Sequence, residues 1–291
     1  MLNLCKIAEI PTVFYKSLMV KYNRKNVGNG LDRSATEKRN NMNEQRLKTL
    51  LYNHPWHDLV QCVDTVPSTN AAVKALASNG APEGTAMIAG CQTQGRGRLG
   101  RTFCSEKGGL YLSLLLRPER PASDLLTLTA RTAVCVRRAI FDTCSIDTQI
   151  KWVNDLLLHG KKVCGILTEL VGSENPAAVV GIGINCDQTA FPEELRDIAS
   201  SLHAETGRQI DKEALAAAIL RNLSSVFEMP WLDTYRSACV NIGKPVKVLS
   251  PQGEKDAFAV DITDTAALTV RYPDGTVEDL SSGEVSVRSV T

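Results

Sequence analysis

The sequence predicts an α+β fold, a mixed β-sheet flanked by helices and followed by a small all-β module. Two observations carry that prediction. Apolar runs of strand length recur at 59–63, 85–91, 110–116, 163–170 and 179–184, with helical patterns at 71–77 and 121–144 between them. After residue 238 the composition shifts, and five short strands, at 245–249, 257–263, 267–271, 276–280 and 284–288, suggest a small barrel. The expected division is therefore a basic extension at 1–41, a principal domain at 42–237 and a second domain at 238–291.

A chain of 291 residues, 43% hydrophobic and 22% charged, is long enough to bury a sizeable core. Its net charge of +1 gives no overall attraction to nucleic acid or anionic membrane, so any basic site has to be local. Nine cysteines without a CxxC pair suggest reduced, buried thiols in a cytoplasmic protein. The four histidines do not group with cysteines at metal-ligand spacing, and no apolar run is long enough to span a bilayer.

In chain order, residues 1–41 carry eight Lys or Arg against three Asp or Glu, with neither a helix-turn-helix pattern nor a cleavage pattern. A disordered extension or an overlong start is expected, with Met42 as a second candidate start. A short helix at 44–52 precedes the strand at 59–63, and Ser68-Thr69-Asn70 precedes the helix at 71–77. Ser68 or Thr69 suits an N-cap, and polar groups at a helix N-terminus also suit a polar ligand head.

The least ordinary stretch is GRGRLGR at 95–101. Glycine lets a backbone approach a ligand closely, and arginine offers a fork of donors matched to phosphate oxygens. Because the stretch connects two strands, it reads as a loop that orders over a phosphate-bearing substrate rather than as a basic tail. Phe103 suits either a cover for a planar ligand or core packing. The run LYLSLLL at 110–116 reads as a buried strand, and 121–144 as one long scaffold helix with Leu125, Leu128, Val136 and Ile140 inward.

A strand through 150 ends in Lys151, Trp152, Asn154 and Asp155, which bring a cation, a ring, an amide and a carboxylate together. His159-Gly160 turns the chain, and strand alternation sends Lys161 and Lys162 to opposite sides. Gly181 and Gly183 interrupt an apolar strand, which calls for either a ligand packed on that face or a tight bend.

Together, STN at 68–70, GRGRLGR at 95–101, KWVND at 151–155, KKVCGILTEL at 161–170 and GIGIN at 181–185 resemble the biotin protein ligases, the biotin–[acetyl-CoA-carboxylase] ligases. The resemblance runs from about residue 42 to the C-terminus. It implies a catalytic domain like that of class II aminoacyl-tRNA synthetases and an SH3-like C-terminal domain, whose GEVS-type motif is matched at 283–286. It further implies an enzyme that joins biotin to ATP, releases pyrophosphate, and passes the biotinyl group of biotinyl-5′-AMP to one lysine of a biotin carboxyl carrier protein.

Biotin contacts are implied at Ser68, Thr69, Asn70, Gln92, Arg96, Gly97 and Arg98, with Lys162 at the reacting carboxyl and α-phosphate. Phe103, Lys151, Trp152, Asn154, Asp155 and Asn185 are implied on the nucleotide side. ATP enters as co-substrate with Mg²⁺, Asp155 standing near the metal, and no tightly bound prosthetic group is expected. Arg98 and Lys162 are the expected catalytic pair, since their fixed positive charge suits a transition state that spreads negative charge over phosphoryl oxygens. Phe103 stands where the family usually has tryptophan and is expected to keep a stacking role; Val153 stands where it usually has proline.

Many members of that family carry an N-terminal winged helix and repress transcription. Residues 1–41 hold no convincing helix-turn-helix, so the form without that domain is expected, with no nucleic-acid or membrane partner. Members often pair sheets side by side, so the resemblance allows a homodimer, but no stretch of this sequence specifies one. Two alternatives stay open. A DNA-binding regulator would show salt-sensitive DNA binding that disappears when 1–41 is deleted. A lipoate-protein ligase, sharing the catalytic architecture, would use a different acid.

Overall fold

A computed structural model describes residues 42–173, 176–250, 253–281 and 286–289. The basic segment 1–41 and the GEV of the GEVS motif lie outside the described residues.

Helix α1 (Glu44–Leu50) starts at Asn43, whose side chain accepts the Arg46 N–H at 3.0 Å. Its Glu44 accepts the backbone N–H of Cys62 at 2.9 Å. The main sheet contains β1 (Val60–Val66), β2 (Ala86–Gln92), β3 (Leu110–Leu116), β4 (Gln149–Lys151), β5 (Asp155–Leu158), β6 (Lys161–Val171) and β7 (Ala177–Ile184). Their order is β1-β2-β3-β7-β6-β5-β4. Only β1 and β2 run parallel; the other pairs are antiparallel. A parallel pair needs a crossover, and helix α2 (Thr69–Ser78) supplies it.

Side-chain alternation divides the sheet into two faces. Tyr111 and Leu115 of β3, Met87 and Ala89 of β2 and Val179 of β7 pack with Ala72, Val73 and Leu76 of α2. The opposite face, with Leu110, Leu112 and Leu114, builds the larger core. There it meets α4 (Leu128–Cys144) and, further along the chain, α6 (Lys212–Leu223) and α7 (Leu232–Ala238).

The helix expected over 121–144 is divided into α3 (Ala122–Leu126) and α4. At the junction the Thr127 hydroxyl donates to the Asp124 carbonyl at 2.8 Å, a local bond that competes with the helical ladder. The strand expected to end in the Lys151–Asp155 cluster does end there, and the chain then reverses. β4 and β5 form a hairpin with Lys151 opposite Asp155, and KWVND is its turn, with a cis peptide between Trp152 and Val153. Uninterrupted apolar flanks conceal that reversal. The next reversal was legible: His159 and Gly160 both have positive φ, as a two-residue hairpin requires.

Beyond α5 (Leu202–Thr206), α6 and α7, the chain forms β8 (Pro245–Ser250), β9 (Gly253–Ile262), β10 (Leu268–Arg271), β11 (Val277–Leu280) and β12 (Ser286–Ser289). They make a separate antiparallel sheet in the order β11-β10-β9-β8-β12. Val246, Val248, Ala259, Leu268 and Val270 form its inner surface. Arg236 of α7 donates to the Ile262 carbonyl at 2.6 Å and pairs with Asp261 at 2.9 Å, which anchors this module to the first. No helix among the described residues is long and apolar enough to cross a membrane.

Candidate active site

A cavity of about 230 Å³ opens where the N-terminus of α2 meets the middle of the main sheet. Ser68 caps the helix, its hydroxyl accepting the Ala71 N–H at 3.4 Å. Thr69 and Asn70 follow, both almost fully buried, so their polar atoms need partners. Thr69 donates its N–H at 2.8 Å and its hydroxyl at 3.0 Å to Gln92 Oε1. Gln92 donates in turn to Ser105 Oγ at 2.9 Å. Ser113, wholly buried on β3, lies 2.7 Å from the Thr69 hydroxyl and 2.6 Å from Asn70 Oδ1.

The Asn70 amide donates to the Leu167 carbonyl at 3.3 Å and to Glu169 at 2.8 Å. The other oxygen of Glu169 lies 2.7 Å from Lys74 Nζ. Burial raises the Glu169 carboxyl, but hydrogen bonds from Lys74 and Asn70, together with the charges of Lys74 and Arg96, outweigh it and hold the group below its ordinary range. The two strand glycines now have a reason. A Cβ at Gly181 would lie 2.1 Å from Asn70 Oδ1, and one at Gly183 would lie 2.5 Å from the Phe103 ring. Side chains of the protein itself press on that face.

The glycine-arginine loop forms the cavity's second wall. Arg96 bridges to Thr102, the Gly97 N–H donates to the Arg101 carbonyl at 2.7 Å, and the Phe103 N–H donates to Gly95 O at 3.0 Å. Arg98 points inward and donates to Asn154 Oδ1 at 3.1 Å. Burial lowers its pKa, with the neighbouring Asp155 charge opposing that shift; a guanidinium nevertheless stays charged. Asn154 is held by its own bond to the Ile166 carbonyl at 3.0 Å.

Lys162 Nζ stands 2.7 Å from Asp155 Oδ1 and 5.6 Å from the centre of the Phe103 ring. The Asp155 contact is an ion pair by charge and distance, but its direction is not that of a hydrogen bond, so buried Oδ1 has no hydrogen-bond donor. The Lys162 backbone is fixed by the 198–200 segment, donating to Ile198 O at 2.9 Å and accepting from Ser200 N–H at 3.0 Å.

The second module supports the KWVND turn. Trp152 donates its backbone N–H to Asn241 at 2.8 Å and its indole N–H to the Ala266 carbonyl at 2.9 Å. The Tyr235 hydroxyl of α7 donates to the Val153 carbonyl at 3.2 Å. Leu249 of β8 reaches the cavity lining.

No group of three His, Cys, Asp or Glu side chains among the described residues could hold a metal by itself. Mg²⁺ asks for less, because it keeps several waters and takes one or two carboxylates plus substrate phosphates. Asp155, the carboxylate in the cavity lining, fits that demand, its Oδ1 being shared with Lys162. The cavity therefore combines a neutral polar cradle with five cationic side chains, Arg98 and Lys162 among them, and one carboxylate, which suits a ligand with a hydrogen-bonding head and an anionic tail.

Similarity to known proteins agrees with this geometry. Residues 62–187 match the biotin/lipoate A/B protein ligase family, and 242–288 match the biotin protein ligase C terminal domain. The bifunctional ligase/repressor BirA of Bacillus spizizenii is 35% identical, over 77% of this chain and 72% of that protein. The biotin–[acetyl-CoA-carboxylase] ligase of Mycobacterium tuberculosis is 31% identical, over 79% of this chain and 89% of that protein. The chain belongs to the biotin protein ligase family. Among solved structures, the biotin protein ligase from Aquifex aeolicus in complex with biotin and ATP has a TM-score of 0.67 at 32% identity, covering 78% of this chain and 97% of that one.

In this ligase, every candidate site residue read from the sequence lines the cavity except Asn185. Asn185 is buried beside it, where its amide donates to the Ser200 carbonyl at 2.9 Å and its backbone carbonyl accepts from Leu202 N–H. It ties the 186–201 segment to the sheet. Trp152 meets the cavity but is only 4% exposed, with its indole fixed to the second module.

Sequence reasoning missed Ser105, Ser113, Glu169 and Leu249. A signal existed for two of them. Ser113 interrupts an apolar strand, and Glu169 is the acid at the end of a strand whose other residues are mostly apolar. Leu249 gave none, because nothing in a surface-like strand tells which foreign cavity it reaches.

Proposed function

We propose that this ligase activates biotin with ATP as biotinyl-5′-AMP and then transfers the biotinyl group to one lysine of the biotin carboxyl carrier protein of acetyl-CoA carboxylase. The observation that carries this reading is the continuity, in one cavity, of Thr69 and Asn70, backed by the buried Ser113, with the Arg98 and Lys162 cations. Biotin is a neutral cyclic urea with a carboxylate tail, and that shape matches the two ends. The Aquifex aeolicus relative binds biotin and ATP, which supports the same ligands here.

The urea sits against Ser68, Thr69, Asn70 and Gln92, leaving the carboxylate at Arg98 and Lys162. One carboxylate oxygen attacks the α-phosphorus, and the bond from that phosphorus to the β-phosphate bridging oxygen breaks. Pyrophosphate leaves with the electron pair. Arg98 and Lys162 offset charge repulsion as the anions approach and stabilise the charge that builds on the phosphoryl oxygens. Mg²⁺, when bound through Asp155, supplies neutralisation of the polyphosphate. The carrier's neutral lysine amine then attacks the acyl carbon, AMP departs with the bonding pair, and the amine proton passes to solvent. The 95–101 loop keeps water from the mixed anhydride between the two steps.

Residues 42–237 form the catalytic domain of this reading, related in architecture to class II aminoacyl-tRNA synthetases, and 238–291 an SH3-like domain that steadies the nucleotide side. The enzyme works in the cytoplasm, with Mg-ATP, biotin and carrier as its partners. Pyrophosphate release by the purified protein, with biotin or lipoate offered separately and no carrier present, tests the chemistry. Release is expected with biotin and Mg-ATP only, and Lys162→Ala should slow it at least tenfold. Release with lipoate alone would overturn the assignment.

A further inference from the structure

We propose that Glu169 is a positioning residue for the cradle: it holds the Asn70 amide in one orientation and so decides how many hydrogen-bond acceptors the cradle offers to an incoming N–H. This rests on the reading of the cavity as a biotin site.

Proton counting carries the inference. Three oxygen-to-oxygen contacts lie in a row: Gln92 Oε1 to Thr69 at 3.0 Å, Thr69 to Ser113 at 2.7 Å, and Ser113 to Asn70 Oδ1 at 2.6 Å. Thr69 and Ser113 bring one hydroxyl proton each, so two protons serve three contacts. Turning the Asn70 amide over would cure the shortage. Its NH₂ would donate to Ser113, Ser113 to Thr69, and Thr69 to Gln92, giving a closed one-way chain with no vacancy.

Glu169 forbids that turn. In the turned state the Asn70 carbonyl oxygen would face the Leu167 carbonyl and the Glu169 carboxylate, both acceptors, at the positions now occupied by its amide hydrogens. Lys74, one turn further along α2, lies 2.7 Å from the same carboxylate and keeps it ionised and in place. One carboxylate on β6 thus bridges two residues of one helix face and leaves the cradle one donor short. A ligand N–H supplies that donor, and a cyclic urea carries two.

The test is the Glu169→Gln variant, read by calorimetric biotin binding and by steady-state kinetics. In Glu169→Gln, a side chain of the same shape can accept from or donate to Asn70, so the amide is released. Biotin should bind about tenfold more weakly, a factor typical of one hydrogen bond, with the KM for biotin rising in step. The kcat at saturating biotin and the KM for ATP should change little, whereas a merely structural role would move them.

Unchanged biotin affinity in Glu169→Gln would overturn the proposal. Lys74→Met, altered at a partly exposed position, gives a second route should Glu169→Gln fail to fold. It should weaken biotin binding in the same direction, and wild-type affinity would count against the role of Glu169. Wild-type protein that binds no biotin would instead overturn the biotin reading itself.

Discussion

Asn70 meets four neighbours at once: Ser113, Leu167, Glu169 and the bare backbone of Gly181. An alanine at 181 would place its Cβ 2.1 Å from Asn70 Oδ1, an overlap that only movement of Asn70 can relieve. Gly181→Ala should therefore cost about 1–3 kcal/mol of stability and most of the biotin affinity. A urea melt and calorimetric titration check the two halves; full affinity would mean that Asn70 has room the packing does not suggest. At this scale the sequence was informative wherever a residue was improbable for structure alone, as with Arg96 and Arg98 among glycines. It was silent where a role depends on a partner distant in the chain. Glu169 acts through Lys74 and Asn70, 95 and 99 residues earlier, and no local pattern announces such a pair.

The KWVND turn shows how an element can be half legible. Its chemistry was visible, since a cation, an amide and a carboxylate interrupt apolar strands. Its geometry was not, because β4 is only three residues long and its apolar flank merges with that of β5. What fixes the turn lies elsewhere, in Asn241, Tyr235 and Ala266. Trp152→Phe keeps the packing and deletes the indole donor, leaving the Ala266 carbonyl without it. The expected loss is about 1–3 kcal/mol, with a raised KM for ATP and a smaller effect on biotin binding. Denaturant midpoints and a nucleotide titration would measure both; a variant as stable as wild type would show that the indole bond is not what holds the turn. Elements with their own punctuation were read correctly, as the His159-Gly160 hairpin and the Ser68 cap show.

At the scale of the molecule, two modules were legible from a change in strand spacing, but their dependence on each other was not. Long-range charge pairs have the same character and bear on the response to acid. Glu169 is held below its ordinary range in the folded chain, so it contributes stability that is fully present above the unfolded glutamate pKa. That contribution is lost as pH falls through the depressed folded value. Lys74→Met removes a hydrogen bond and a charge that depress it, so stability should fall less steeply from about pH 5 to about pH 3 than in wild type. Urea midpoints across that range test the sign, and parallel profiles would remove Glu169 from the acid response.

Glu44 touches neither cavity nor substrate, yet its bond to the Cys62 N–H bears on how the protein behaves among its own copies. β1 and β4 are the rims of the main sheet, where unpaired donors and acceptors offer a template to any passing strand. At one rim the Glu44 carboxylate occupies a donor; at the other, Val240 N–H occupies the Ile150 carbonyl. At both points a helix-borne side chain or the neighbouring chain segment takes the place that a stray strand would need. Glu44→Ala uncovers the first of them, and turbidity on gentle heating would rise before any loss of catalysis.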